Sequence, residues 1–298
     1  MPCADSIDML RGMYTGASGM KAEQHRMDVV ANNLANVDLT GFKRDTVSFK
    51  AFPELLIRRF DDDGLRKLPM GSIDIAPIVG KLGLGVETNE VYTDFSQGSF
   101  KQTENNFDFA MEGRGFFVIL TPDGERYTRN GAFTLGPESL LVTHDGFPVL
   151  GESDELIRIK DNNFVVDQDG KIFINRRFQE DDERLVSMIE NEWDDTILLD
   201  RLKVVEFTNG VAGMRGDRYL QKQGNSFWRE TEDSGPANII PDDRRPRVHQ
   251  GFLETANVNP VTEMVRMIEV NRAYEANQKT IQTHDSLLGR LVNEVMRV

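Results

Sequence analysis

The side chains with the most chemical potential in this sequence are few and scattered. Four histidines, His25, His144, His249 and His284, lie far apart. No H-E-x-x-H pair, phosphate-cradling glycine loop, dinucleotide fingerprint or G-x-S-x-G nucleophile turn accompanies them. A single cysteine, Cys3, excludes an intrachain disulfide framework and a thiolate metal cage. Asp61-Asp62-Asp63-Gly64 opens like a calcium loop, but the twelfth position, where such a loop needs a glutamate, is Ser72. Asp167-Gln168-Asp169-Gly170 has the wrong glycine spacing, so both read as turns. Among 49 acidic residues, no pair suited to acid and base work on a glycan stands out. His25 and His284 fall in helical patterns, where packing or solvation is commoner than ligation. No catalytic, cofactor-binding or metal-binding residue is expected, and no cofactor.

The elements that carry the chain are better marked than any reactive group. The 298 residues suffice for about two domains. A net charge of −14 argues against a protein that neutralises nucleic-acid phosphates or anionic lipid. Residues 1–50 carry six basic and six acidic side chains and residues 249–298 five and six, so nearly all the negative charge lies between them. Twenty of the 25 glycines fall between Gly64 and Gly251. There the pairs Asp123-Gly124, Asn130-Gly131, Asp145-Gly146, Asp169-Gly170 and Asn209-Gly210 are hairpin-turn signals. The middle reads as β. No run of about 18 apolar residues and no basic-then-apolar start is present, so neither a membrane span nor an ordinary secretory signal is expected.

Both ends read as long helices. Leu10, Met13, Ala17, Met20, Gln24, Met27, Ala31 and Leu34 step alternately by three and four, which makes a heptad seam. Gly12, Gly16 and Gly19 would each weaken that helix by about 1 kcal/mol relative to alanine, so something outside it must compensate. Small residues there would admit a second helix at close range. Turn-forming residues after Asn36 predict the helix end. At the other end Asn259 can cap and Pro260 suits a first helical position. A second seam follows, Met267, Val270, Tyr274, Asn277, Ile281, His284, Leu288, Leu291, Val295 and Val298, with Val261, Met264, Val265 and Ile268 widening the apolar surface over the first turns. Helices this long cannot satisfy such seams on themselves. The fold class expected is α+β, with the terminal helices paired as a coiled coil and a β-rich centre between them.

These residues also carry a resemblance. Leu10-Arg-Gly-Met-Tyr-Thr-Gly-Ala-Ser-Gly-Met20, Asp28-Val-Val-Ala-Asn32-Asn33-Leu-Ala-Asn36 and Thr40-Gly41-Phe42-Lys-Arg44 are similar to the N-terminal signature of the bacterial flagellar rod and hook proteins. Gln250 through Ile268, including Asn257, Asn259, Pro260, Glu263 and Met264, and Arg272-Ala-Tyr274-Glu275 resemble the C-terminal signature. Gly113–Phe117, Tyr127–Phe133 and His144–Gly151 resemble the central β motif. The resemblance implies a self-assembling structural subunit of the basal-body rod, transmitting torque through contacts with copies of itself and related axial proteins. It implies export by the flagellar type III apparatus and a periplasmic position.

On this reading residues 1–45 form the N-terminal helix of an inner rod domain, 46–85 a linker, 86–248 a β-rich outer domain and 249–298 the C-terminal helix. The pattern is most similar to proximal-rod members from bacteria with periplasmic flagella, with a distal rod or hook-type axial subunit as the alternative. A secreted glycan-binding or glycan-cleaving β protein is the alternative of another class. The acidic stretch 176–200 has no counterpart in the resemblance and reads as a solvated insertion, with a partner contact as the competing reading. Residues 1–8 precede the start usual in the family, so Met9 is a second candidate initiator.

Overall fold

The computed structural model describes residues 4–58, 66–68, 71–73, 78–160, 163–175, 196–208, 215–224 and 226–295, and their side chains except at 4–11, 57–58, 66–68, 71–73, 78–79 and 294–295. Among the described residues two α-helices frame a chain of short strands: α1, Ala4–Ala35, and α2, Pro260–Val295. At 1.5 Å per residue they extend about 48 and 54 Å. The architecture is α+β. The turn residues after Ala35 end α1, and proline opens α2 because its missing N–H costs nothing at a first helical position. Among the described residues no helix is long and apolar enough to cross a membrane.

The chain divides into two units: residues 1–32, 46–91 and 261–298, and residues 33–45 with 92–260. In the first unit the described residues of the stretch 46–85 hold a nested set of paired strands. Asp45–Ala51 pairs with Val86–Thr93, Leu55–Arg58 with Ile78–Leu82, and Arg66–Leu68 with Gly71–Ile73. Its outermost pair touches α1, where the Val86 amide donates to Ser18 Oγ at 3.3 Å; beside that contact the Phe52 amide donates to the Gly85 carbonyl at 3.1 Å. The acidic cluster Asp61–Asp63 lies outside the described residues.

The second unit is built on a six-stranded antiparallel sheet. Its spatial order is Gln221–Gln223, Phe227–Arg229, Gly124–Thr128, Phe116–Thr121, Val204–Glu206 and Asn238–Ile239. A period of two along Phe116–Thr121 sends alternate side chains to opposite faces. Phe117 and Ile119 enter a core with Phe109, Phe133, Ile159, Ile172 and Leu202, while Phe116 and Val118 enter a second core with Tyr127, Phe207 and Trp228. A three-stranded sheet, Phe164–Val166, Lys171–Asn175 and Thr196–Arg201, supplies Phe164, Ile172 and Ile174 to the first core. Residues 176–195 of the expected acidic insertion lie outside the described residues, and 196–200 are strand.

The pairs at 123–124, 145–146 and 169–170 lie in turns with left-handed glycines. Asn130-Gly131 does something else. Phe109 N donates to the Gly131 carbonyl at 2.9 Å, and a Cβ on Gly131 would stand 1.7 Å from the Phe109 carbonyl oxygen. Backbone proximity, not turn geometry, requires this glycine. Asn209-Gly210 falls outside the described residues. Gly131→Ala is expected to destabilise the second unit by about 3 kcal/mol through overpacking against backbone. Urea titration followed by Trp228 fluorescence in a Trp193→Phe background would measure it, and an unshifted midpoint would contradict the close approach.

Candidate assembly interface

The site begins with the glycines of α1. A Cβ placed on Gly12, Gly16 or Gly19 would come within 2.6 Å of His284, 2.9 Å of Ile281 and 2.9 Å of Asn277, respectively. The partners run backwards along α2 as the glycines run forwards along α1, so the two helices lie antiparallel along this stripe. Steps of four and three on one helix meet steps of three and four on the other. Removing three side chains brings the backbone of α1 against the polar and branched side chains of α2. That contact offsets the helix propensity the glycines forfeit.

Burial places the expected seam residues unequally. On α2, Met267, Tyr274, Asn277, Ile281, His284 and Leu288 are half-buried and Val270 is fully buried, while Leu291 is exposed. On α1, Met13, Met20, Met27 and Leu34 are half-buried, Ala17 and Ala31 are exposed, and the most enclosed positions are Gly16, Ala22, Val30 and Asn33. The side chain of Leu10 lies outside the described residues. The stripe of α1 facing α2 is therefore the glycine row, one residue before the methionine row. Another apolar strip is open: Val261, Met264, Val265 and Ile268 are 68, 51, 50 and 52% exposed. Arg272, Glu275 and Asn32 are exposed as well. Glu263 is the exception on this first turn, fully buried and paired with Arg266.

Within the second unit the two signature segments meet around one carboxylate. Glu254 Oε1 accepts from Lys43 Nζ at 2.6 Å and from the Gly98 amide at 2.9 Å, and Oε2 faces Arg129 Nη1 at 3.6 Å. All three charged side chains are at most 3% exposed. Lys43 Nζ also donates to the Ser96 carbonyl at 2.8 Å. Burial pushes the Lys43 ammonium below its ordinary range, and the neighbouring Glu254 carboxylate pulls the other way. The Gly41 amide donates to the Glu254 carbonyl at 2.8 Å. Gly41 is left-handed at φ 67°, and a Cβ there would meet the Arg129–Asn130 backbone within 2.7 Å. Phe42 is fully buried beneath Lys222 Nζ, 4.1 Å from its ring centroid.

Two asparagines complete the cluster by acting as backbone mimics. Asn33 donates to the Asp45 carbonyl and accepts from the Asp45 amide, each at 2.9 Å. Asn257 Oδ1 accepts from the Arg44 amide at 2.7 Å, while Nδ2 donates to the Asp94 carbonyl at 2.7 Å. Arg44 pairs with Asp94 at 3.0 Å. Burial pushes the Asp94 carboxyl up, but hydrogen bonds from Ser96 and the Arg44 charge outweigh it, leaving Asp94 below the usual carboxylate range. Asn36 accepts from the Leu39 amide through its carbonyl at 3.1 Å. Asn259 and Pro260 are exposed at the start of α2.

The structure thus brings Asn33, Gly41, Phe42 and Asn257 into one network, and Gly16 and Ile281 into another contact. Lys43, Glu254 and Arg129 were not singled out by sequence reasoning as a unit. Lys43 and Glu254 stand inside the signature segments, but a lone lysine or glutamate is by default solvated, and 211 residues separate them.

Long terminal helices, one of them with an open apolar strip, suit a protein that assembles with others of its kind. The comparisons with known proteins agree. Family models match at residues 13–43 (flagella basal body rod protein), 110–174 (flagellar hook protein FlgE/F/G D1 domain) and 249–294 (flagellar basal body rod FlgEFG protein C-terminal). The chain is 33% identical to the flagellar basal-body rod protein FlgG of Borreliella burgdorferi, over 97% of this chain and 100% of that protein. It is 34% identical to FlgG of Bacillus subtilis, over 96 and 99%. It is 29% identical to the flagellar basal-body rod protein FlgF of Caulobacter vibrioides, over 97 and 100%. The chain belongs to the flagellar basal-body rod protein family, and it is a structural subunit of the rod.

Two sets of substitutions test this geometry. Gly16→Ala gains about 1 kcal/mol of helix propensity but must displace Ile281 Cγ1, an overpacking cost of about 1–3 kcal/mol. It should lower the thermal midpoint of the helical signal. Gly289→Ala meets nothing among the described residues and should raise it by the propensity term alone. Circular dichroism of both variants reads the sign. Glu254→Gln leaves two buried cations without their counterion and should cost about 3–5 kcal/mol. Lys43→Met should cost less, because Arg129 still faces the carboxylate. Equal costs in urea unfolding would contradict the shared-carboxylate arrangement.

Proposed function

We propose that α1 and α2 pair as an antiparallel coiled coil and that this helical pair is the element through which subunits stack into the flagellar shaft. The subunit carries torque by many repeated packing contacts and performs no catalysis. The glycine row seated against His284, Ile281 and Asn277 supports the pairing. The observation that carries the stacking is the strip Val261, Met264, Val265 and Ile268, half or more exposed on a helix whose opposite face is already shielded. Covering what remains of each such side chain is worth about 1 kcal/mol, so several neighbours' contacts sum to a stiff assembly. The half-buried methionines of α1, Met13, Met20 and Met27, offer an adaptable second strip.

The partners on this reading are copies of the chain and other rod and hook-family axial proteins, the family kinship of the relatives supporting both. Delivery by the flagellar type III apparatus and a periplasmic section of the rod follow from the family resemblance. The resemblance also favours the proximal section; the relatives' names give the rod and no section of it.

Leu288→Asp or Leu34→Asp puts a charge into a half-buried helix strip and should abolish rod assembly while leaving Trp228 fluorescence that of the folded β unit. Swimming at the normal rate in either variant would overturn the helix-mediated reading. Electron microscopy of basal bodies from a deletion strain tests the position. A proximal subunit's loss leaves rings with no shaft, whereas a short stub of rod would place the chain distally.

A further inference from the structure

Each helix carries a second regular stripe on the side away from their mutual contact. On α1 it is Tyr14, Ala17, Lys21, Gln24, Asp28 and Ala31, which step alternately by three and four and are all exposed. Tyr14, at 72% exposure, leaves a large amphipathic ring in water of the kind that anchors interfaces. On α2 the stripe is Val265, Ile268, Arg272, Glu275, Lys279 and Gln282, with the same alternation and again all exposed. At 3.6 residues per turn the first stripe lies across α1 from Gly12, Gly16 and Gly19, and the second across α2 from Asn277, Ile281 and His284. Among the described residues the ion pairs on the helices are Arg26 with Glu23 and Arg266 with Glu263, both off these stripes.

We infer that the outer stripe of α1 in one copy docks antiparallel on the outer stripe of α2 in a second copy, with Ala31 against Val265 and Lys21 facing Glu275. The inference rests on the rod reading, with the helices running along the shaft. Rotation about the shaft axis preserves the sense of every helix, so α1 and α2 of different copies oppose each other in direction as they do within one chain.

Charge sets the register. In this alignment Lys21 faces Glu275, Gln24 faces Arg272, and Asp28 lies one helical turn from Arg272. Ala31 leaves room for Val265 and the neighbouring Met264, which are 50 and 51% exposed. A shift of one heptad sets Lys21 on Ile268 in one direction and Asp28 against Glu275 in the other, which buries a lone charge or opposes two of like sign. The two stripes differ, so the contact is heterologous and leaves one stripe of each kind open on a pair of copies. It therefore propagates from copy to copy and does not close a dimer.

Cross-linking and charge exchange test it. In a Cys3→Ser background, Ala31→Cys with Val265→Cys should give a ladder of disulfide-linked subunits on oxidation of basal bodies. Within one chain the two positions sit on opposite outer faces of the helix pair, beyond the Cα separation of about 7 Å that a disulfide can span. Ala31→Cys with Arg272→Cys, one heptad out of register, should give at least about tenfold less product. Rods that form normally without a ladder overturn the inference. Lys21→Glu should lower the yield of rod at least about tenfold, with the helical circular dichroism of the soluble chain unchanged, and adding Glu275→Lys should restore it. Full assembly by Lys21→Glu, or a loss that Glu275→Lys does not rescue, also overturns it. A deletion strain that swims would sink the rod reading itself; a non-motile deletion strain, beside Ala31→Cys/Val265→Cys rods that form without cross-links, would sink only this docking.

Discussion

Close approach of α2 to the backbone of α1 is the contact on which the helical unit depends. Three glycines spaced at helical intervals remove the side chains that would keep the helices apart, and His284, Ile281 and Asn277 fill the space. Glycine in a helix interior is unfavourable in isolation, so the row is tolerable only where a second helix takes advantage of it. The same contact fixes which faces are left over. With the glycine edge of α1 and the Val270–Ile281 edge of α2 turned inward, the strip Val261–Ile268 stays exposed and the methionine row half-buried.

The β unit obeys a different constraint, the burial of charge. Glu254 sits between Lys43 and Arg129 with almost no exposure, and each of its oxygens faces a cation. Removing a partner from such a group is costly, so residues 41–44, 96–98, 129 and 254 are held to one arrangement. Asn33 and Asn257 extend this by hydrogen-bonding to backbone amides and carbonyls that the short strands leave unpaired. A network closed in this way resists sliding better than an apolar contact of the same size, because hydrogen bonds are directional and dispersion is not. That property suits a subunit that must hold its shape under torque.

Charge also separates the tasks of the chain. The helical ends are nearly neutral, which lets apolar strips meet without repulsion, and the negative charge is concentrated in the β-rich middle. An acidic exterior keeps copies soluble before assembly.

Local sequence determined the two terminal helices, the end of α1 near Asn36, the start of α2 at Pro260, the β character of the middle and the placing of Val270, Ile281 and Leu288 on a stripe that is buried or half-buried. These are local properties: helix period, capping residues and turn pairs act over a few residues and leave their spacing in the sequence. Tertiary structure decided the rest. The methionine row of α1 has the heptad spacing, yet the glycine row beside it faces α2, because hydrophobicity marks what can be buried and the partner decides which edge is. Strands 45–51 and 86–93 pair across an intervening stretch without strong alternation, because strand pairing is settled by where the chain returns. Asn130-Gly131 has the composition of a hairpin turn and serves a backbone contact instead. The Lys43–Glu254–Arg129 cluster was invisible for the same reason: a salt bridge across 211 residues is a property of how the chain closes on itself, and no local pattern encodes it.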